Sequence, residues 1–226
     1  MSNQSVKEKS NVFFKHVQWL FIFLSSITLS LSAQESAENL MDKMAATFDK
    51  NTGYTIGFTM NIKQLLQRTT ESFDAKMVLK GDQFYLVTPD MEAWYNGTTQ
   101  WILIYMNDEV NISNPTKEEA EQINPVQILN SYKKGYTCTY KGERNDVKGR
   151  PSHVVELIPE KPDNIEYITL LINKSNYFPN SILIHQKGSI ETVIHINTIR
   201  KEANSPDAMF IFDKKKYPDV EIIDLR

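Results

Sequence analysis

Apolar and polar residues alternate along most of this chain after its first 33 residues. The period is near two, with two helical interruptions. From Tyr54 to Lys63, Tyr54, Ile56, Phe58, Met60 and Ile62 fall on one side and Thr55, Gly57, Thr59, Asn61 and Lys63 on the other. That is a long strand with one buried face. Phe73, Ala75, Met77 and Leu79 repeat the pattern against Asp74 and Lys76. Between Phe84 and Tyr105 the alternation fails. Phe84-Tyr85-Leu86-Val87 and Trp101-Ile102-Leu103-Ile104-Tyr105 are apolar on both sides. An antiparallel meander ordinarily wets one face, so either this part of the sheet is covered twice or one face lines an apolar hollow.

The turns between these runs are short. Lys80-Gly81-Asp82 precedes a strand at Phe84–Thr88, Pro89-Asp90 precedes Met91–Tyr95, and Asn96-Gly97 is a strong hairpin signal before Thr99–Met106. Asn107-Asp108 then turns into Val110–Ile112. Further strands are expected at Tyr136–Lys141, His153–Ile158, Ile165–Asn173, Ser181–Gln186 and Ile190–Arg200, with a last apolar segment at Met209–Phe212. Ser36 is placed to cap a helix through Leu40, Met41, Met44, Ala45 and Phe48, and Asn124-Pro125 opens a second helix carrying Val126, Ile128, Leu129 and Tyr132. The expected fold is mainly β, an incomplete, open antiparallel barrel of ten or so strands whose mouth the helices cover.

The first 33 residues read differently. Lys7, Lys9 and Lys15 precede an apolar stretch from Val17 to Leu31, then the small residues Ser30-Leu31-Ser32-Ala33. This is the layout of a signal peptide cut after Ser32 or Ala33. Its apolar core of roughly 15 residues is shorter than a spanning helix needs. We therefore expect residues 1–33 to be a signal and 34–226 one domain, exported and soluble. Cys138 is the single cysteine. It allows no internal disulfide and no lipid anchor beside the signal, and it reads as a packed structural thiol. Removing residues 1–33 takes away three Lys and one Glu and leaves 22 basic against 27 acidic residues, a net charge of −5. That balance gives no footprint for nucleic acid.

Little catalytic chemistry is written in the chain. His153, His185 and His195 stand singly on expected strands, without metal-ligand spacing. There is no Gly-x-Ser-x-Gly elbow, and Glu118, Glu119 and Glu121 read as a solvated face. No catalytic group, metal or cofactor is expected, and the chain reads as a non-enzyme. What is abundant is apolar bulk: aromatics are 11% of the residues and there are eight Met. Such side chains suit a well-packed barrel core or an adaptable hollow for an acyl chain.

Several segments resemble the outer-membrane lipoprotein carrier protein (LolA) family. The Leu40–Phe48 helix before Tyr54-Thr55-Ile56-Gly57-Phe58-Thr59 is similar to the family's opening helix and first strand. Val78–Phe84 resembles its Lys-Arg-Pro strand pair, Asn96–Trp101 its Asp-Gly hairpin, and Asn124–Leu129 its second helix. Phe210-x-Phe212 with Pro218–Arg226 resembles its close, in the form found in a Bacteroidetes branch. The resemblance implies a half-barrel with a helical lid that shelters lipoprotein acyl chains between the inner and outer membranes. It implies an inner-membrane ABC-type transporter as donor and an outer-membrane acceptor, with the carrier a monomer. It places Phe84 and Leu86 in the lining; strand parity adds Phe58, Met60, Phe73, Met77 and Trp101 as further candidates, and the helix residues Leu40, Met44, Phe48 and Leu129 are expected to form the lid. Lys80 stands where the family has a lid-holding arginine and is the gating candidate, though lysine lacks the planar fork of donors. Rival readings are a lipid-sensing periplasmic regulator on the same half-barrel and a lipid-processing hydrolase.

Overall fold

In the computed structural model, residues 36–116, 119, 132, 133, 135–161, 164–202 and 205–226 are described. The first element is α1 (Ala37–Ala46), opened by Ser36, whose Oγ accepts the Asn39 N–H at 3.1 Å. Leu40, Met41 and Met44 recur at helical spacing and are fully buried. The helix stops before Phe48 because the Thr47 hydroxyl donates to the Met44 carbonyl at 2.6 Å and takes over the last turn.

Strands follow as β1 (Gly53–Gln64), β2 (Thr69–Lys80), β3 (Gln83–Val87), β4 (Met91–Tyr95), β5 (Gln100–Ile104) and β6 (Glu109–Ser113). After the second interruption come β7 (Tyr136–Asn145), β8 (Pro151–Pro159), β9 (Ile165–Asn173), β10 (Pro179–Gln186), β11 (Ile190–Glu202) and β12 (Glu221–Asp224). They form one twelve-stranded sheet in the order β12-β6-β5-β4-β3-β2-β1-β11-β10-β9-β8-β7. Two meanders are thus joined by the β1–β11 pair, antiparallel from Gly53↔Glu202 to Gln64↔Ile190. β12 and β7 remain as separate edges, so the sheet is open, as expected.

Three features depart from the sequence reading. β2 starts at Thr69, ahead of Phe73, because polar Thr69–Ser72 pair in register with Asn61–Gln64 at the end of β1. The strand expected over Thr99–Met106 is shorter, since Tyr105 and Met106 belong to the turn into β6. The third is β12, which pairs parallel with β6, Ile222 beside Val110 and Asp224 beside Ile112. Among the described residues it is the one parallel pairing in an otherwise antiparallel sheet.

Residues Ser36–Arg226 form one compact unit with two apolar layers. The larger lies on the inner face and gathers Tyr54, Ile56, Phe58, Met77, Leu79, Phe84, Leu86 and Ala93 with Val155, Leu157, Ile168, Leu170, Ile182 and Ile194. Strands from opposite halves of the sheet can share one cluster only if the sheet curls, and α1 completes it through Leu40, Met41 and Met44. The smaller layer lies behind β3–β6. There Trp94, Leu103, Val110 and Ile112 pack with Tyr85, Trp101 and with Phe212, Tyr217 and Val220 of the C-terminal segment. Burial on both sides of Phe84–Tyr105 therefore has two separate covers.

Candidate functional site

The inner face is built from cross-strand rungs. Antiparallel partners put their side chains on the same face, so register alone aligns them. One rung runs Ile56, Met77, Leu86, Ala93, Ile102 across β1 to β5. The next runs Tyr54, Leu79, Phe84, Tyr95, Gln100 and reaches Ser113 on β6. Toward the far end of the long β1–β2 pair, Phe58 lies opposite Ala75 and Met60 opposite Phe73. Phe58, Met60, Phe73, Met77, Phe84 and Leu86 thus all join one layer, together with Leu40, Met44 and Phe48.

Trp101 does not join them. It stands on the outer face, opposite Trp94 on one side and Ile112 on the other. An apolar strand buried on both faces carries no periodic cue to its parity, which is why residue type alone puts Trp101 on the wrong side. Leu129 lies outside the described residues. Tyr54 and Ile56, which the alternation of β1 already puts on this face, belong to it too, and members that the sequence reading does not single out are Ala93, Tyr95, Ile102 and the aliphatic rows of β8 to β11. A signal for the latter is present, since Ile168, Leu170 and Ile172 alternate on one side of β9. Aliphatic rows of this kind are less conspicuous than aromatic and Met residues as marks of a ligand-lining face.

Polar bonds from Asp42 and Lys43 also hold α1 over this face. The Asp42 carboxylate accepts from the Tyr132 hydroxyl and pairs with the Lys133 ammonium at 2.6 Å. Lys133 first, then Tyr132, holds the Asp42 carboxyl below its ordinary value of 3.8. Burial and then the Asp42 bond push the Tyr132 phenol upward. The Lys43 ammonium donates to the Tyr177 hydroxyl at 3.3 Å and sits 4.8 Å from the ring centre. At the helix end Phe48 meets Tyr54 and Phe178 edge-on, each with ring centres 5.2 Å apart. Cys138 packs at the margin of the layer, its thiol pushed up to about 11 by burial and then by the Glu38 charge.

Lys80 has different partners from those expected of a lid clasp. Its ammonium donates to the Ser205 carbonyl at 3.1 Å and to Asp207 Oδ1 at 2.9 Å, tying the end of β2 to the C-terminal segment. Farther along, that segment is pinned by Glu92. This buried carboxylate accepts from the Tyr85 hydroxyl, from Tyr105 at 2.8 Å and from Tyr217 at 2.8 Å.

The histidines are dispersed. His153 lies 3.3 Å from the Tyr140 hydroxyl, His185 stacks on Tyr167 at 4.0 Å, and His195 Nδ1 lies 3.1 Å from Ser181 Oγ. Ser181 is only 1% exposed, and the nearby Asp146 carboxylate is occupied by Arg150 Nε at 2.6 Å and by two backbone N–H groups. Among the described residues no group of three or more His, Cys, Asp or Glu side chains could hold a metal ion. In the same set, no helix is long and apolar enough to cross a membrane.

Comparison with known proteins finds similar solved structures and one family profile. The chain is similar to an uncharacterized conserved protein from Thermus thermophilus, with TM-score 0.56 and 11% identity over 83% of this chain and 98% of that one. It is also similar to a LolA superfamily protein from Nitrosomonas europaea, with TM-score 0.45 and 12% identity over 78% of this chain and 98% of that one. The MucB–MucA complex of Pseudomonas aeruginosa supplies a further similar structure, with TM-score 0.46 and 14% identity over 79% of this chain and 62% of that one. No curated protein sequence is matched. The family profile described as outer membrane lipoprotein carrier protein LolA matches residues 27–189. That span is well over half the chain, and the chain belongs to the LolA outer membrane lipoprotein carrier family.

Proposed function

We propose that this protein is a periplasmic carrier that shelters the acyl chains of lipid-modified cargo on the inner face of its sheet and conveys them from the inner to the outer membrane. The observation that carries this reading is the cover of that face. Among the described residues, an apolar layer drawn from both halves of an open sheet is covered by α1, a helix of ten residues, together with Tyr132. The Asp42–Lys133 ion pair that helps tether α1 is exposed. Cargo could replace the apolar side chains of such a helix without breaking the sheet. Each methylene taken from water is worth about 0.8 kcal/mol, so an acyl chain offers ample drive to compete with Leu40, Met41 and Met44. The family, and a signal-like start ahead of residue 34, support the same role. An inner-membrane ABC-type transporter is then the donor and an outer-membrane acceptor the recipient.

The purified protein should bind an apolar fluorophore with enhanced emission, and acylated peptide should displace it. Phe84→Glu, and Ile102→Glu at a less buried point of the same face, should abolish binding. Trp101→Phe on the outer face should leave it intact. Depletion in the native host should leave lipoproteins in the inner membrane, and normal sorting without the protein would sink the carrier reading.

A further inference from the structure

Gln100 is a buried polar residue on the inner face. It opens β5, is only 3% exposed, and its Nε2 has no hydrogen-bond partner among the described residues. Its cross-strand partners are Tyr95 and Ser113, and Ile102 lies next along the same face. Tyr95 is stacked at a tilt against Phe84, with ring centres 5.5 Å apart. A buried amide nitrogen offers two N–H donors, and leaving them unpaired costs stability that a Leu or Met at this place would not. A packed core has no use for such a group. A site that must recognise one polar atom on an otherwise apolar ligand does.

The surroundings say which atom. Phe84, Leu86, Ala93 and Ile102 are uncharged, and the Lys80 ammonium is engaged by Asp207 and the Ser205 carbonyl. Near the same rung the Asp82 charge, after burial, helps push the Tyr95 phenol up. A phosphate or carboxylate placed here would lose its hydration and meet a like charge. A neutral acceptor bonded directly to hydrocarbon meets neither penalty, and the carbonyl of an acyl ester or amide is such an acceptor.

Building on the carrier reading, we propose that Gln100 Nε2 donates to an acyl carbonyl of the bound ligand, so that the face reads the join between fatty chain and head and not the chain alone. The chain then runs from Gln100 along the rung of Ile102, Ala93, Leu86 and Met77. The same chemistry occurs in the glyceryl esters of a lipid-modified protein and in those of a phospholipid.

The test displaces an apolar fluorophore from the purified protein with matched ligands. One pair is a dipalmitoylglyceryl-cysteine peptide and its dihexadecyl ether counterpart. The other is dipalmitoyl phosphatidylglycerol and its diether. The wild type should bind diester about tenfold more tightly than diether, the scale of one buried hydrogen bond. Gln100→Met should bind both alike, with affinity for the diether unchanged, and should melt ~2–4 °C higher once the orphan amide is gone. A preference confined to the peptide pair assigns the carbonyl to lipid-modified protein, and a preference in both pairs assigns it to acyl esters at large. Equal wild-type affinity for diester and diether overturns the proposal while leaving the carrier reading standing. So does a Gln100→Met variant that weakens both ligands together. Failure of all four ligands to displace the fluorophore from the wild type overturns the carrier reading itself.

Discussion

Gln100 and Trp101 are adjacent in the chain and belong to different sides of the protein, one in the inner layer and one under the C-terminal segment. Residue type would have suggested the reverse, with tryptophan lining a hollow and glutamine facing solvent. Where alternation is clean, as in Phe58 and Met60 or Phe73 and Met77, the inner face is legible from spacing alone. Where both parities are apolar, orientation depends on a cover supplied more than a hundred residues later. Lys80 teaches the same lesson, because Asp207 lies 127 positions away and no local pattern announces it. Cys138 is a residue whose expected character can be measured. Its thiol is pushed from 9.0 to about 11, by burial first and then by the Glu38 charge. At pH 8 the native protein should hold about a hundredfold less thiolate than the unfolded chain, and thiolate is the reactive form. The higher-pKa thiolate is also the stronger nucleophile, so reaction with a disulfide reagent such as DTNB should be slower by about tenfold in buffer than in denaturant, and equal rates would contradict a packed thiol.

At the scale of elements, most strands and the first helix are readable because each carries its own signals. Ser36 caps α1, and the Asn96-Gly97 turn places Gly97 at a φ of 98°, a conformation suited to glycine. β12 carries none of these. Glu221–Asp224 is short, largely exposed and joins its neighbour in parallel, so no hairpin turn marks it. What fixes it is the segment before it, where Trp94 meets Phe212 and Tyr217 edge-on and Tyr217 bonds to Glu92. Tyr217→Phe removes one of three donors from a buried carboxylate and should cost ~1.5–3 kcal/mol in urea unfolding. Amides of β12 should exchange faster in the variant, whereas unchanged β12 protection would mean that the aromatic contacts alone hold the segment. The anchor's pH range follows from the phenol. Burial and then Glu92 push Tyr217 from 10.0 up to about 12. A group with a raised folded pKa contributes its full stability below the unfolded value, so the anchor is complete below pH 10 and fails only as pH rises through about 12.

Across the whole molecule the two faces are closed in different ways, and the difference bears on function. The outer cover is continuous with the sheet through β12, locked by aromatic stacking, by Lys80 and by a buried carboxylate. The inner cover, α1, rests on the layer through Leu40, Met41 and Met44, and its polar fastening runs from Asp42 to Lys133 and Tyr132. If α1 is what cargo displaces, weakening that fastening should speed entry without loosening the fold. Asp42→Ala should raise the association rate of an apolar fluorophore severalfold in stopped flow while barely moving the melting temperature. Tyr217→Phe should do the opposite, lowering stability and leaving association unchanged. Acid offers an independent route to the same state. The Asp42 carboxyl is held below 3.8, by Lys133 first and then by Tyr132, so its contribution is complete above that value and is lost as pH falls through the lowered one. Association to the wild type should thus be level from pH 8 down to about 4 and rise beneath it, while Asp42→Ala shows no such rise. Equal rates for wild type and Asp42→Ala at neutral pH would show that α1 is a fixed wall, and that cargo enters elsewhere around the open sheet.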